Sequence, residues 1–171
     1  MPLFQSLPCP FRHYRPMRCQ ERKIEPGEEL VHILRQGSVC WLSMVDQGKP
    51  YVVPVCYGYA QNALYIHSAP KGRKIDILGR SPDVCFSVVA HSEMVKADKP
   101  CSWTVRFSSV TGFGKAKILL DRKEKEEGLV ILLAHCSGRE YDFSGLPLDD
   151  LVVIKVEIEK MEGKRSPAGG C

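Results

Sequence analysis

Three cations crowd one short stretch of this chain. In YIHSAPKGRKID, Tyr65 to Asp76, the residues Lys71, Arg73 and Lys74 stand where a strand-like run ends and a helix-like run begins. A helix start carries partial positive charge, so each cation there is unfavourable by about 0.3–1 kcal/mol. Two readings follow. In the first, the charges simply point into water as a solvated loop. Alternatively, unpaired first amides, the side-chain-free Gly72 and the three cations together seat an anion, for which a phosphate is the natural guest.

Neighbouring residues add chemistry to that place. His67 and Tyr65 share one face of the strand ALYIHS by its period of two. The run YVVPVCYGY brings Val53, Pro54 and Val55 close if it pairs with ALYIHS. Pro54 cannot donate to a ladder, so it implies an edge or an opening in the sheet. In RFSSVTGFG, Ser108 and Ser109 interrupt an apolar strand next to Val110. Half-buried hydroxyls need partners, and ligand oxygens or ring nitrogens would serve.

The elements that must position these groups can be read along the chain. EPGEELVHILRQG predicts a helix with Pro26 in its first turn, an apolar stripe of Leu30, Ile33 and Leu34, and Gly37 at its end. SVCWLSMVD and YVVPVCYGY are strands joined by a turn at QGKP, and QN turns into ALYIHS. GRKIDILGR is a short helix, and DVCFSVVAH is a fourth strand. SWTVRFSSVTGFGKAKILL is a long fifth strand, with Gly112 and Gly114 marking a bend or bulge. Asp121 and Glu124 open a helix that runs to about His135, with Gly138 as its stop. LVVIKVEIE alternates cleanly as the last strand. Six antiparallel strands with short connections predict a mainly β (α+β) fold, a six-stranded split barrel with flanking helices. The expected organisation is an irregular arm over 1–20, the barrel over 21–162 and a flexible tail over 163–171.

Composition bounds the function. The 171 residues suffice for one domain with its own core, and the net charge of +4 is too mild to argue for nucleic acid. No apolar run approaches the ~20 residues of a membrane span, and no signal-peptide core is read, so a cytoplasmic location is expected. The 8 cysteines form no C-x-x-C pair and none has a histidine at zinc-like spacing, so they read as reduced thiols and no metal site is expected.

PYVVPVCYGY, ALYIHSAPKGRKID, PDVCFSV, SVTGFGKAKIL and VIKVEIEKMEGK, taken together and in this order, resemble the pyridoxamine 5′-phosphate oxidase-like, FMN-binding split-barrel superfamily. Within it they are most similar to the nitroimidazole-resistance proteins. The resemblance runs from about Met17 to Lys164. It implies a homodimer with two FMN sites at the subunit interface, FAD remaining open. It implies that the flavin phosphate is held by the Ser68 to Lys74 region, including Ala69, Lys71, Gly72 and Arg73. The ring would lie near Val53, Pro54, Val55 and His67, with Ser108, Ser109 and Val110 lining the same groove. His67 matches the histidine beside flavin and substrate. The start MRCQERKI departs from the group's M-R-R-x-D-R-x-I, with Cys19 for Arg and Glu21 for Asp.

The expected function is an FMN-dependent oxidoreductase that reduces nitro groups of small heteroaromatics, with His67 as its catalytic residue. Two rivals stand beside it: a flavin- or haem-binding carrier or sensor without turnover, and oxidation of pyridoxamine phosphate. His135 suits the end of its helix and is a second candidate to reach a partner's flavin. Trp103 and Phe107 read as interface or core residues. The expected partners are a second copy and a small-molecule substrate, with no nucleic acid and no membrane.

Overall fold

The computed structural model describes residues 19–166. In chain order it contains β1 (Lys23–Ile24), α1 (Glu28–Gln36), β2 (Val39–Asp46), β3 (Lys49–Cys56), β4 (Gly58–Ala60), β5 (Ala63–Ser68), α2 (Arg73–Leu78), β6 (Asp83–Val95), β7 (Thr104–Leu119), α3 (Arg122–Ser137) and β8 (Val152–Arg165). All strand pairs are antiparallel. The order across the sheet is β3-β2-β6-β7-β8-β5-β4, with β1 added beside β8, so the sheet rolls up without closing. The split barrel is as expected, with eight strands rather than six. The two extra strands have separate origins. Lys23–Ile24 pairs with Gly163–Lys164. The expected strand over Tyr51–Tyr59 breaks at Tyr57, because its first half pairs with β2 and its second half with β5.

Local sequence signals produce the connections. Gln47 and Gly48 have φ of 51° and 81°, and Gln61 and Asn62 have 50° and 57°, the double left-handed geometry of tight hairpins. The Asp121 carboxylate accepts the Glu124 amide at 3.0 Å to open α3, and Gly138 closes it with φ of 68°. At Phe113/Gly114 the β7–β8 register shifts, so the glycine pair in the long strand does mark a bulge. A Cβ at Gly114 would run into the Glu157 carbonyl.

The main core lies inside the barrel, where Leu42, Met44, Leu64, Ile66, Phe86, Val88, Val110, Ile154 and Val156 meet Leu30, Ile33 and Leu34 of α1. A second cluster, Tyr65, Leu119, Leu129 and Val153, lies where α3 covers the outer face of β5 and β8. β8 continues to Arg165, taking in the first three residues of the expected tail. Gly163 is buried there against Leu30 and Ile24 and leaves no room for a side chain. The rest of the expected tail, 167–171, and residues 1–18 of the expected arm lie outside the described residues. Among the described residues no helix is long and apolar enough to cross a membrane.

Candidate functional site

Tyr57 is the point where the barrel splits. On one side β3 belongs to β2; on the other β4 belongs to β5, with Gly58 opposite Tyr65. Carrying that register backward would set Cys56 against His67 and Val55 against Ser68. The chain instead swings away at Tyr57. β3 and β5 approach within 8 Å between Cα atoms yet share no ladder. The result is a fork. One arm is the edge of β3, Val53 to Cys56, that pairs with no strand among the described residues. The other is the end of β5, where Ile66, His67 and Ser68 pair only with Ile154, Val153 and Val152 of β8. Pro54 therefore sits on a sheet edge, as its missing amide requires.

The side chains of the fork alternate. Val53 and Val55 turn inward and pack on the core, so toward a ligand they offer backbone. Pro54 is exposed on the outer face. His67 shares the outer face with Tyr65; α3 covers Tyr65, whereas His67 is exposed. Backbone amides and carbonyls along an unpaired edge are strong hydrogen-bonding groups and suit a planar polar ring.

The basic stretch closes one end of the fork. Ser68 is half-buried; Ala69, Lys71 and Gly72 are exposed. Gly72 has φ of 126°, and a Cβ there would meet nothing within 4 Å, so the space in front of it is open. No side chain caps α2, whose first turn is closed by the Asp76 amide on the Gly72 carbonyl at 3.0 Å. The three cations differ. Lys71 is exposed. Arg73 donates through Nε to Asp46 at 3.0 Å, and its guanidinium lies 4.4 Å from the Tyr51 ring centroid. Lys74 is half-buried, no described residue pairs with its ammonium, and burial pushes its pKa below the ordinary lysine value.

Sequence reasoning missed three residues here. Asp46 is a clamp: one carboxylate oxygen takes Arg73, and the other takes Arg80 Nη2 at 2.8 Å. Exposed pairs of this kind contribute only about 0.2–1 kcal/mol each, so what they do is hold two guanidiniums on one carboxylate. Arg80 was findable as a further cation close in sequence, two residues past the end of α2. Asp46 and Tyr51 were not, since they come from a hairpin remote in sequence.

Ser108, Ser109 and Val110 lie elsewhere. β7 is three strands from β3, about 14 Å at ~4.8 Å per strand. Val110 is fully buried in the core. The Ser109 hydroxyl donates to the Lys164 carbonyl at 3.3 Å. Ser108 borders a cavity of about 600 Å³ with His91, Arg106, Phe107 and Arg165. One chain thus gathers Val53–Val55 and His67–Lys74 and leaves Ser108–Val110 apart from them. His135 is engaged structurally: its Nε2 lies 2.8 Å from the Gly37 carbonyl, and its ring is 4.8 Å from that of Tyr57.

Comparison with known proteins agrees with this geometry. The profile of the pyridoxamine 5′-phosphate oxidase family matches residues 26–165. A solved structure described as a 5-nitroimidazole antibiotic resistance protein, from Bacteroides thetaiotaomicron, is 32% identical, covers 83% of this chain and 85% of its own, and has a TM-score of 0.73. Two further structures share the fold at a TM-score of 0.76 each. A flavocytochrome from Azotobacter vinelandii is 19% identical over 91% of this chain and 74% of its own. An FAD- and haem-binding protein from Mycobacterium smegmatis is 18% identical over 88% and 76%. No protein of curated function matches. A rolled, unclosed sheet that splits beside a basic turn, and a family match spanning nearly every element of it, lead to one assignment: this chain belongs to the pyridoxamine 5′-phosphate oxidase family.

Proposed function

We propose that the protein is a flavin-dependent oxidoreductase that holds FMN in the fork and reduces nitro groups of small heteroaromatic molecules. The observation that carries the cofactor reading is Lys74, a half-buried cation with no partner among the described residues, beside an uncapped turn and an open Gly72. Such a charge is costly unless an anion answers it. The flavin, when bound, supplies the electron transfer. Lys71, Arg73, Lys74 and Ser68 hold its phosphate, with Arg73 kept in place by Asp46. The edge groups of Val53, Pro54 and Val55 face the ring, and His67 offers a proton donor at the mouth. The nitro substrate rests on the relative named for 5-nitroimidazole resistance.

The site calls for a homodimer. Ser108, Ser109 and Val110 reach a flavin in the fork only if a second copy brings them there. The outer face of β3, β2 and β6 suits that copy. Val52, Pro54, Trp41, Val39, Val45 and Val89 project from it, and from Cys85 to Val89, Val39 to Val45 and Val52 to Cys56 no outward side chain is charged. With Met94, Trp103 and Val105 the exposed apolar area is on the order of 700 Å², close to the ~800 Å² per partner of a standard interface.

The purified protein tests the reading directly. Its visible spectrum should be that of a flavin, and the released cofactor should be FMN. After anaerobic reduction, mixing with a 5-nitroimidazole should reoxidise it faster than free reduced FMN reacts. A haem spectrum would favour the carrier reading. A colourless protein that takes up no FMN would sink the proposal.

A further inference from the structure

β6 and β7 continue beyond the barrel. The β2–β6 ladder ends at Val88, and the β7–β8 ladder ends at Ser108. Past the bulge at Val89/His91, the pairs Ser92–Phe107, Glu93–Arg106, Met94–Val105 and Val95–Thr104 join no third strand among the described residues, Phe107 alone being bonded further, to Ser166 by both its amide and its carbonyl. This makes a two-stranded arm about 14 Å long at ~3.4 Å per residue. A lone two-stranded hairpin is only marginally stable in water. This one also carries apolar side chains. Met94 and Val105 face each other across the arm and are 57% and 36% exposed. Trp103 is 46% exposed, yet its indole is fixed by a hydrogen bond from Nε1 to the Ala97 carbonyl at 2.8 Å, with the Lys96 ammonium 5.4 Å from the ring centroid. A pinned aromatic ring with an open face is what anchors an interface.

The period of two along β7 places Val105 and Phe107 in line with Ser109, which lies opposite Val89, and Trp103 immediately precedes the strand. The apolar outer face of β3, β2 and β6 therefore runs on into the arm. We infer that the arm, residues 92–107, embraces a second copy of this chain and buries Met94, Val105 and Trp103 against it. The inference rests on the homodimer reading and adds the element that crosses between the subunits. Ser108 and Ser109 form the root of the arm, so its docking fixes where those hydroxyls stand relative to the partner's fork.

The experiment uses the purified full-length protein with its cofactor. Sedimentation first gives the oligomeric state. p-Benzoylphenylalanine then replaces Trp103, and separately Met94, and is photoactivated. A covalent product of twice 19.2 kDa, with the cross-link mapped between two copies, is the expected result. The same probe at Tyr141, in an exposed loop, should give none. A dimer in sedimentation with no covalent dimer from either arm position overturns the arm and leaves the homodimer standing. A monomer overturns both. Cross-links only within one chain, or only to other proteins added as lysate, also overturn the arm. As a second arm of the test, Met94→Asp with Val105→Asp should weaken the dimer roughly 100-fold while the circular dichroism stays native; an unchanged dissociation constant refutes the proposal.

Discussion

Lys74→Met separates ligand seat from solvated loop by moving stability and binding in opposite directions. Methionine keeps most of the apolar stem and removes the charge. In the flavin-free protein the half-buried ammonium is a burden, although its partial exposure lets water screen it. Removing it should stabilise that form by about 0.5 kcal/mol, or about 1–2 °C in Tm for a chain of this size. The flavin-bound protein behaves oppositely. A charge-assisted contact to phosphate is worth about 1.5–3 kcal/mol, and half-exposure puts Lys74 at the lower end, so FMN should bind about 10-fold more weakly. Riboflavin, which lacks the phosphate, should bind both proteins alike. pH adds an independent readout. The folded-state pKa of Lys74 lies below its ordinary 10.5. Between those two values the unfolded chain holds more protons, so flavin-free stability from this group rises with pH in that window. FMN affinity should fall through the same window as the ammonium is lost, and the fall should be absent in Lys74→Met. Flavin fluorescence titrations and thermal scans of the flavin-free protein supply both measurements. A variant that is less stable without flavin and binds FMN as tightly as before would refute the seat.

Three further predictions follow from named contacts. Tyr57→Phe leaves the Leu34 carbonyl, now bonded by the Tyr57 hydroxyl at 2.6 Å, unpaired in a buried place; a loss of about 1–2 kcal/mol, roughly 2–8 °C in Tm, is expected by calorimetry. Gly58→Ala puts a Cβ 2.5 Å from the Leu132 Cα and 2.7 Å from the Ile131 carbonyl, so α3 must shift, and urea unfolding should show a cost of about 1–3 kcal/mol. His67→Ala should keep FMN bound but slow nitro reduction by about 10²-fold per bound flavin. Normal single-turnover reoxidation in that variant would remove His67 from the mechanism.

What could be read from the chain was what local chemistry fixes. The caps of α3 at Asp121 and Gly138, the stripe on α1, and the Gln47–Gly48 and Gln61–Asn62 turns all act within a few residues. The break at Tyr57 was hidden because the inward alternation of Tyr51, Val53, Val55, Tyr57 and Tyr59 runs through it unchanged. Face is set by period, whereas ladder partner is set by strands far away in sequence. The same holds for Gly163, whose burial depends on Leu30 and Ile24. At the site, the cations and His67 were legible by type and spacing. Their ranking was not, since only the fold shows that Arg73 is spoken for by Asp46 while Lys74 is left half-buried. His135 suited its helix end electrostatically, and its actual partner, the Gly37 carbonyl, comes from 98 residues away.

The fork at Tyr57 behaves as a pair of callipers. Its jaws are two strands, and its pivot is one residue, so the gap is set by an angle. The pivot is held from outside the barrel: by α1 through the Tyr57 hydroxyl on Leu34, and by α3 through the His135 ring and the Cys136 thiol, 3.7 Å from the Tyr57 carbonyl. A small rotation at the pivot is magnified along the jaws, because each residue away from it adds ~3.4 Å of lever. If the fork holds the proposed flavin, substitutions at the C-terminal ends of α1 and α3 should therefore change how thick a guest the gap accepts, without touching any residue proposed to meet it.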